Sequence, residues 1–334
     1  MINKIIRQSQ SFDFQTHKLK TIYIDSADDT LLPVSVIGNG EPVLMLAAFG
    51  MDARQFLPFI LPLINQYQFY LPHFRGFGLA DNLTLPQFDF IQQYASDTEQ
   101  VIDYIIEKNS VKENGSDKIA VAGISMGALV MWAYFKRFGT SKISHYLNID
   151  QAPIVHNQPD WQGGVFGARQ TELFAQFERL IADAEPYISN DDRQNTNFRH
   201  LPYSLKVGLL KMERSFSLLS VSRKHSQLIV NAVSHQAPHK MALMNHATWQ
   251  HKLRCLSAYV ELPYDYRDVL STVNIPVTLL IGGCSKLYDP DCQLQLAEML
   301  PNAKVEVLAN SGHAIPMDAP IGFYQALKGF LQKN

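Results

Sequence analysis

Between positions 121 and 128 the chain reads Val-Ala-Gly-Ile-Ser-Met-Gly-Ala, with Ser125 two residues from a glycine on either side. An apolar run precedes this segment and a helical pattern follows it. A G-x-S-x-G segment in that setting demands a sharp turn from strand into helix, where small flanking residues avoid steric clash. The start of the helix then turns backbone N–H groups and a positive dipole end toward any oxyanion that develops beside the serine. Ser125 is thereby a candidate nucleophile. The plainer reading, a glycine-rich turn with an incidental serine, does not account for a strand on one side and a helix on the other.

The surrounding pattern is that of a mostly parallel sheet. Apolar or β-branched runs alternate with helical spacings, as expected where strands are joined by crossover helices. The predicted strands are Thr21–Asp25, Leu32–Ile37, Val43–Ala47, Gln68–Leu71, Ile119–Ala122, His145–Ile149, Val277–Ile281 and Lys304–Leu308. Helical spacing covers Asp89–Lys108 and Ala128–Phe138, and Gly38-Asn39-Gly40 predicts a tight turn between two early strands. The long interval before the seventh strand is helical and polar-rich, and six of the eleven histidines fall between His200 and His251. The expected organisation is a core of residues 1–150 and 257–334, with 151–256 inserted as a helical cap.

Composition narrows the function classes. Lys and Arg total 29 against 31 Asp and Glu, a net charge of −2, which argues against a general nucleic-acid binder. Three cysteines, Cys255, Cys284 and Cys292, are too few for a disulfide framework and fit a reducing compartment. None has metal-ligand spacing, no His-Glu-x-x-His pair occurs, and no metal or cofactor is expected. The first ten residues turn polar too early for a signal peptide, and no apolar run approaches the ~20 residues of a membrane span. The expectation is a cytoplasmic protein whose partner is a small-molecule substrate, with at most a second copy of the chain in a homodimer.

Beyond the serine turn, three further segments carry a resemblance to the α/β-hydrolase family, whose fold is an eight-stranded, mostly parallel sheet flanked by helices. Leu44–Asp52 resembles the family's turn after strand three, with Ala47-Ala48 where His-Gly is usual. Phe74-Arg75-Gly76-Phe77-Gly78-Leu79-Ala80-Asp81 resembles its Arg-Gly-x-Gly loop after strand four. Asn310–Pro320 resembles the segment that carries the family's histidine, which here is His313. By that resemblance His313 is the base, and the backbone N–H groups of Phe49 and Met126 form the oxyanion hole.

A serine hydroxyl needs an imidazole base, and the base needs a carboxylate to set its tautomer. The family usually places that acid after strand seven, a position occupied here by Ser285, with Asp289 four residues further on. Asp150, at the end of the sixth strand, is the alternative that some members use, among them cofactor-free ring-cleaving dioxygenases. Asp150 is the expected acid because a carboxylate buried at a strand end needs a partner such as His313; Asp289 stays open.

The resemblance implies a serine hydrolase for a small or medium, largely apolar ester, thioester or lactone, acting through an acyl-enzyme. A carbon–carbon hydrolase, lyase or cofactor-free dioxygenase on the same fold is the second reading, and a catalytically silent ligand-binding member the third. Among the apolar residues of the inserted stretch are Trp161, Phe166, Phe174, Phe177, Met212, Phe216, Met241, Met244 and Trp249. They suit an apolar pocket or a core of the cap's own.

Overall fold

Strands covered by helices on both faces bury every side chain, so their sequences run apolar without alternation. This is visible in β5 (Ile119–Ile124) and β7 (Val277–Gly282), each buried at all six positions. The other strands are β1 (Lys20–Asp25), β2 (Leu31–Gly38), β3 (Glu41–Leu46), β4 (Tyr67–Pro72), β6 (Ile143–Ile149) and β8 (Ala303–Leu308). The computed structural model describes residues 18–111, 116–188, 198–234 and 248–332.

The eight strands form one sheet in the order β1-β2-β4-β3-β5-β6-β7-β8. Strand β2 runs antiparallel to both β1 and β4, and the remaining neighbours pair in parallel. This is the doubly covered, mostly parallel sheet that the sequence predicts. The Gly38-Asn39-Gly40 turn differs from a hairpin, because the strands it joins, β2 and β3, lie on either side of β4. The chain steps across the start of β4 so closely that a Cβ on Gly40 would meet the Gln66 carbonyl oxygen at 2.1 Å.

Helices α1 (Phe90–Ser110), α2 (Met126–Phe138) and α7 (Pro290–Met299) feed the apolar layer on one face of the sheet. The turns over 53–64 and helix α8 (Pro320–Leu331) feed the other. Helices α3 (Gln170–Ala184), α4 (Tyr203–Ser220), α5 (Lys224–Ser234) and α6 (Trp249–Glu261) lie between β6 and β7 in the chain. A separate apolar cluster around Leu205, Leu209, Trp249 and Leu253 joins three of them.

The loop after β4 is fixed by a buried charge network. Arg75, 1% exposed, donates to Asp97 on α1 at 2.8 and 2.9 Å and to Asp28 at 2.8 Å through two nitrogens. Breaking one partner of such a pair leaves an uncompensated buried charge, at a cost of about 3–5 kcal/mol. The network therefore locks the β1–β2 turn, the β4 loop and α1 together.

Candidate active site

Ser125 stands at the junction of β5 and α2 with φ +50° and ψ −121°, a conformation that ordinary residues avoid. Holding it there costs on the order of 1–3 kcal/mol. Its N–H donates to the Ile149 carbonyl at 3.0 Å, and its own carbonyl accepts from Ala128 and Leu129 at 2.8 and 3.1 Å. Both flanking glycines are required by contact. A Cβ on Gly123 would lie 2.8 Å from Ala128 Cα, and one on Gly127 would lie 2.5 Å from the Leu46 carbonyl oxygen. The second approach presses the start of α2 against the end of β3.

Met126 is the first residue of α2, where N–H groups have no intrahelical acceptor. Phe49 lies just past β3, beside a turn closed by the Met51 N–H on the Ala48 carbonyl at 3.1 Å. Its ring meets Phe77 and Tyr259 edge-on, with centroids 5.4 and 6.5 Å away, and it lines the same cavity as Ser125.

His313 follows β8 and is 5% exposed. Its Nδ1 lies 2.8 Å from Asp150 Oδ2 and its Nε2 lies 2.8 Å from Ser125 Oγ. An ionised carboxylate accepts only, so Nδ1 carries the proton and Nε2 is left to accept from the serine hydroxyl. The three predicted residues are thus brought together across 188 positions of sequence.

Asp150 is wholly buried at the end of β6, at φ +49°. Its Oδ1 accepts from the Gly282 N–H at 2.7 Å and from Gln293 Nε2 at 3.1 Å. Its Oδ2 accepts from Ser285 Oγ at 2.7 Å as well as from His313. Four donors replace the water that a buried carboxylate loses. Asp289 is occupied elsewhere: its carboxylate caps α7 by accepting from the Asp291 and Cys292 N–H groups at 2.9 and 3.2 Å.

The loop that carries His313 is held by Asp318, a residue that sequence reasoning missed. Its carboxylate accepts from the N–H groups of Gly312 and Ser222 at 2.7 Å each and of Arg223 at 3.2 Å. Burial alone would raise its pKa, but bonds from Ser226 and these amides outweigh that and hold it below the usual carboxylate range. The Ala314 N–H also donates to the Ser220 carbonyl at 2.7 Å, tying the loop to the end of α4. Ser285 was noticed only as the occupant of an expected acid position, and Gln293 was missed. A polar residue whose partner lies 135 or 143 positions away leaves no local signal.

Above Ser125 opens a cavity of ≈ 280 Å³, lined by Phe49, Leu256, Tyr259, Leu287 and Tyr288 and by residues of the inserted helices. Burial, reinforced by the Asp150 charge, pushes the Tyr288 hydroxyl well above its ordinary pKa, against a hydrogen bond with Gln151. Phe166, Phe174, Phe177, Met212 and Phe216 reach the cavity. Trp161 and Trp249 are buried away from it, so the inserted apolar residues divide between both expected uses. Met241 and Met244 lie outside the described residues. Among the histidines of that stretch, His200 and His225 are exposed and His251 packs against Phe77 and Tyr94, while His235, His239 and His246 lie outside the described residues. Among the described residues, no group of three or more His, Cys, Asp or Glu could hold a metal ion.

The family described as alpha/beta hydrolase fold matches residues 41–320. Among curated proteins the chain is similar to the pimeloyl-[acyl-carrier protein] methyl ester esterase of Legionella pneumophila (strain Corby), 26% identical over 129 residues. That match spans 38% of this chain and 44%, less than half, of the relative. Among solved structures it is similar to an esterase, EaEST, of Exiguobacterium antarcticum, with a TM-score of 0.71 at 19% identity over 94% of this chain and 100% of the other. A bromoperoxidase from Bacillus anthracis gives a TM-score of 0.67 at 18% identity over 94% and 100%. The match across most of the chain and the shared sheet architecture agree: the chain belongs to the α/β-hydrolase fold family.

Proposed function

We propose that the protein hydrolyses carboxylic ester bonds, with Ser125 as nucleophile, His313 as base and Asp150 as the acid that orients it. The observation that carries this reading is the unbroken chain of 2.8 Å hydrogen bonds from Ser125 Oγ through His313 to Asp150. As Ser125 Oγ attacks the substrate carbonyl, its proton passes to His313 Nε2, and the imidazolium that forms is stabilised by the buried Asp150 carboxylate. The carbonyl oxygen, now an anion, accepts hydrogen bonds from the N–H groups of Met126 and Phe49. Such preorganised donors contribute about 3–4 kcal/mol each. His313 then protonates the departing alkoxide, and water, deprotonated by the same imidazole, releases the acyl group from Ser125.

On this reading residues 151–256 are a cap over a core of 1–150 and 257–334. The cavity beneath it, mostly apolar but also lined by the Glu213–Lys252 ion pair, fits a small or medium, largely apolar ester, thioester or lactone. Its ≈ 280 Å³ lies just below the usual range of ligand pockets, which begins at about 300 Å³. The three cysteines are free, in keeping with a cytoplasmic setting, and no helix among the described residues is long and apolar enough to cross a membrane. The decisive experiment is labelling with a fluorophosphonate probe, on wild type and on Ser125→Ala, followed by a panel of p-nitrophenyl esters. Labelling of wild type that is lost in the variant supports an activated serine; no labelling of either protein overturns the proposal.

A further inference from the structure

Behind the Ser125 cavity lies a second groove of ≈ 280 Å³, between α3 and α4. The two spaces share four lining residues: Phe166, Phe177, Met212 and Phe216. These side chains are therefore a wall one residue thick, with the Ser125 cavity on one side and the outer groove on the other. The wall is apolar on both faces. The outer groove is polar only toward its rim, where Gln176, Arg179 and Asp183 from α3 face Lys211 and Ser215 from α4.

Phe166 holds the wall together, and its backbone is unusual. It adopts φ +67° and ψ 1°, left-handed geometry that is a genuine outlier for a bulky residue. Its N–H is pinned to the Leu287 carbonyl at 2.6 Å, in the loop that also lines the Ser125 cavity. From there the ring meets Phe174, Phe177 and Phe216 with centroids 6.4, 5.8 and 6.2 Å away, two of the contacts close to perpendicular. A strained backbone persists only where its surroundings over-determine it, and such positions cluster at ligand clamps.

Met212 is the deformable part of this wall. It is half-buried on α4, unbranched and polarizable, and can change rotamer without disturbing the backbone. Opening the wall at Met212 would join the two spaces into one apolar channel that starts at Ser125 and ends at the charged rim.

We infer that Phe166 and Met212 set the length of the unbranched apolar chain accepted at Ser125, and that the groove between α3 and α4 is the extension subsite for longer chains. The inference rests on the ester-hydrolase reading for its substrate class, but the geometry of the channel can be tested without catalysis. Each added methylene that finds apolar cover strengthens binding about fourfold, and one that meets the wall adds nothing.

The test has two arms, both on the full chain. In the first, a series of straight-chain 1-alkanols from butanol to tetradecanol is titrated by calorimetry into wild type, Phe166→Ala and Met212→Ala. Affinity in wild type climbs with chain length to a break, and in either variant the break moves to longer chains. In the second arm, the same proteins are assayed on p-nitrophenyl esters from butanoate to hexadecanoate. The kcat/KM ratio of dodecanoate to butanoate rises about tenfold or more in the variants, the gain expected from two newly covered methylenes. Met212→Ala sits on a half-buried helical surface and keeps the test open if Phe166→Ala does not fold. An alkanol break that stays in place in Met212→Ala overturns the subsite. A break that moves without ester turnover by wild type upholds the subsite and overturns the hydrolase reading alone.

Discussion

Ser285 Oγ donates to Asp150 Oδ2 at 2.7 Å, so the residue at the family's usual acid position is bonded to a carboxylate at the end of the neighbouring strand. Strands β6 and β7 are neighbours, with Ile149 in register with Leu280, which is why a carboxylate leaving the end of either can reach His313.

The two positions are therefore expected to be exchangeable. Asp150→Asn is expected to lower kcat by about 10³–10⁴-fold, as loss of the orienting carboxylate does elsewhere. Adding Ser285→Asp to that variant is expected to restore at least tenfold of the loss. Asp289→Asn should leave kcat within a factor of two and stability nearly unchanged, because the amide oxygen of Asn caps a helix about as well as a carboxylate does. Steady-state kinetics and urea unfolding on the three proteins check this. A larger kinetic effect at Asp289 than at Asp150 would return the acid to the strand-seven loop.

The strain at Ser125 is separable from its chemistry. Ser125→Gly and Ser125→Ala should both lose turnover, but glycine adopts φ +50° freely and alanine does not. The glycine variant is expected to be the more stable of the two by about 1 kcal/mol or more, given the usual cost of such a conformation. Equal melting temperatures would mean that the turn is unstrained.

Asp318 is expected to matter without touching substrate. Asp318→Ala strands three buried or half-buried amides at Gly312, Ser222 and Arg223, each costing about 1–3 kcal/mol if nothing replaces the carboxylate. Because those amides position His313, kcat should fall at least tenfold with KM less affected. Asp318→Asn, which keeps an acceptor oxygen, should recover part of both. An unchanged kcat in the alanine variant would remove Asp318 from the support of the base.

Two histidines, His73 buried and His251 half-buried, contribute to the loss of stability in acid. Burial lowers His73 to about 4, with Arg54 adding to the effect and Asp52 opposing it. Burial and Arg254 lower His251 to about 4 as well, against a hydrogen bond to the Arg75 backbone. The unfolded chain takes up these protons from about 6.5 downward and the folded chain does not. Their contribution is therefore complete above pH 6.5 and lost as pH falls through 4. Urea unfolding between pH 7.5 and 4.5 should show stability declining with falling pH, and His251→Phe should flatten that slope by close to one proton. The same slope in both proteins would exclude His251.

The inner strands were legible because a doubly covered sheet writes itself as apolar runs, and the more exposed edge strands β1 and β8 because they are rich in β-branched residues; each of the eight begins and ends within two residues of its expected limits. Helix α2 begins at Met126, not Ala128, because the turn at Ser125 leads directly into it and leaves no spacing to mark the boundary. Of the candidate site, the residues in short segments, Ser125 and His313, were legible, and the structure brings them within 2.8 Å of each other. The site was half legible at Asp150, whose strand-end position could be seen while the four donors around it could not. Pairing of β2 with β4 was beyond local pattern, since Gly38-Asn39-Gly40 looks the same whether the next strand pairs beside the last or steps over a neighbour.

The donors that hold Asp150 have a practical consequence for redesign. Ser285 and Gln293 bracket Leu287 and Tyr288, and they also grip Tyr288 itself: its N–H lies 3.4 Å from Ser285 Oγ and its carbonyl 3.2 Å from Gln293 Nε2. The stretch that shapes the cavity floor and the stretch that steadies the carboxylate are one. On the proposed mechanism, libraries built at Leu287 or Tyr288 to change substrate preference are therefore expected to perturb proton transfer as well. Variants chosen there on a single assay at a single pH will confound the two, and a rate profile across pH is needed to tell a reshaped pocket from a detuned base.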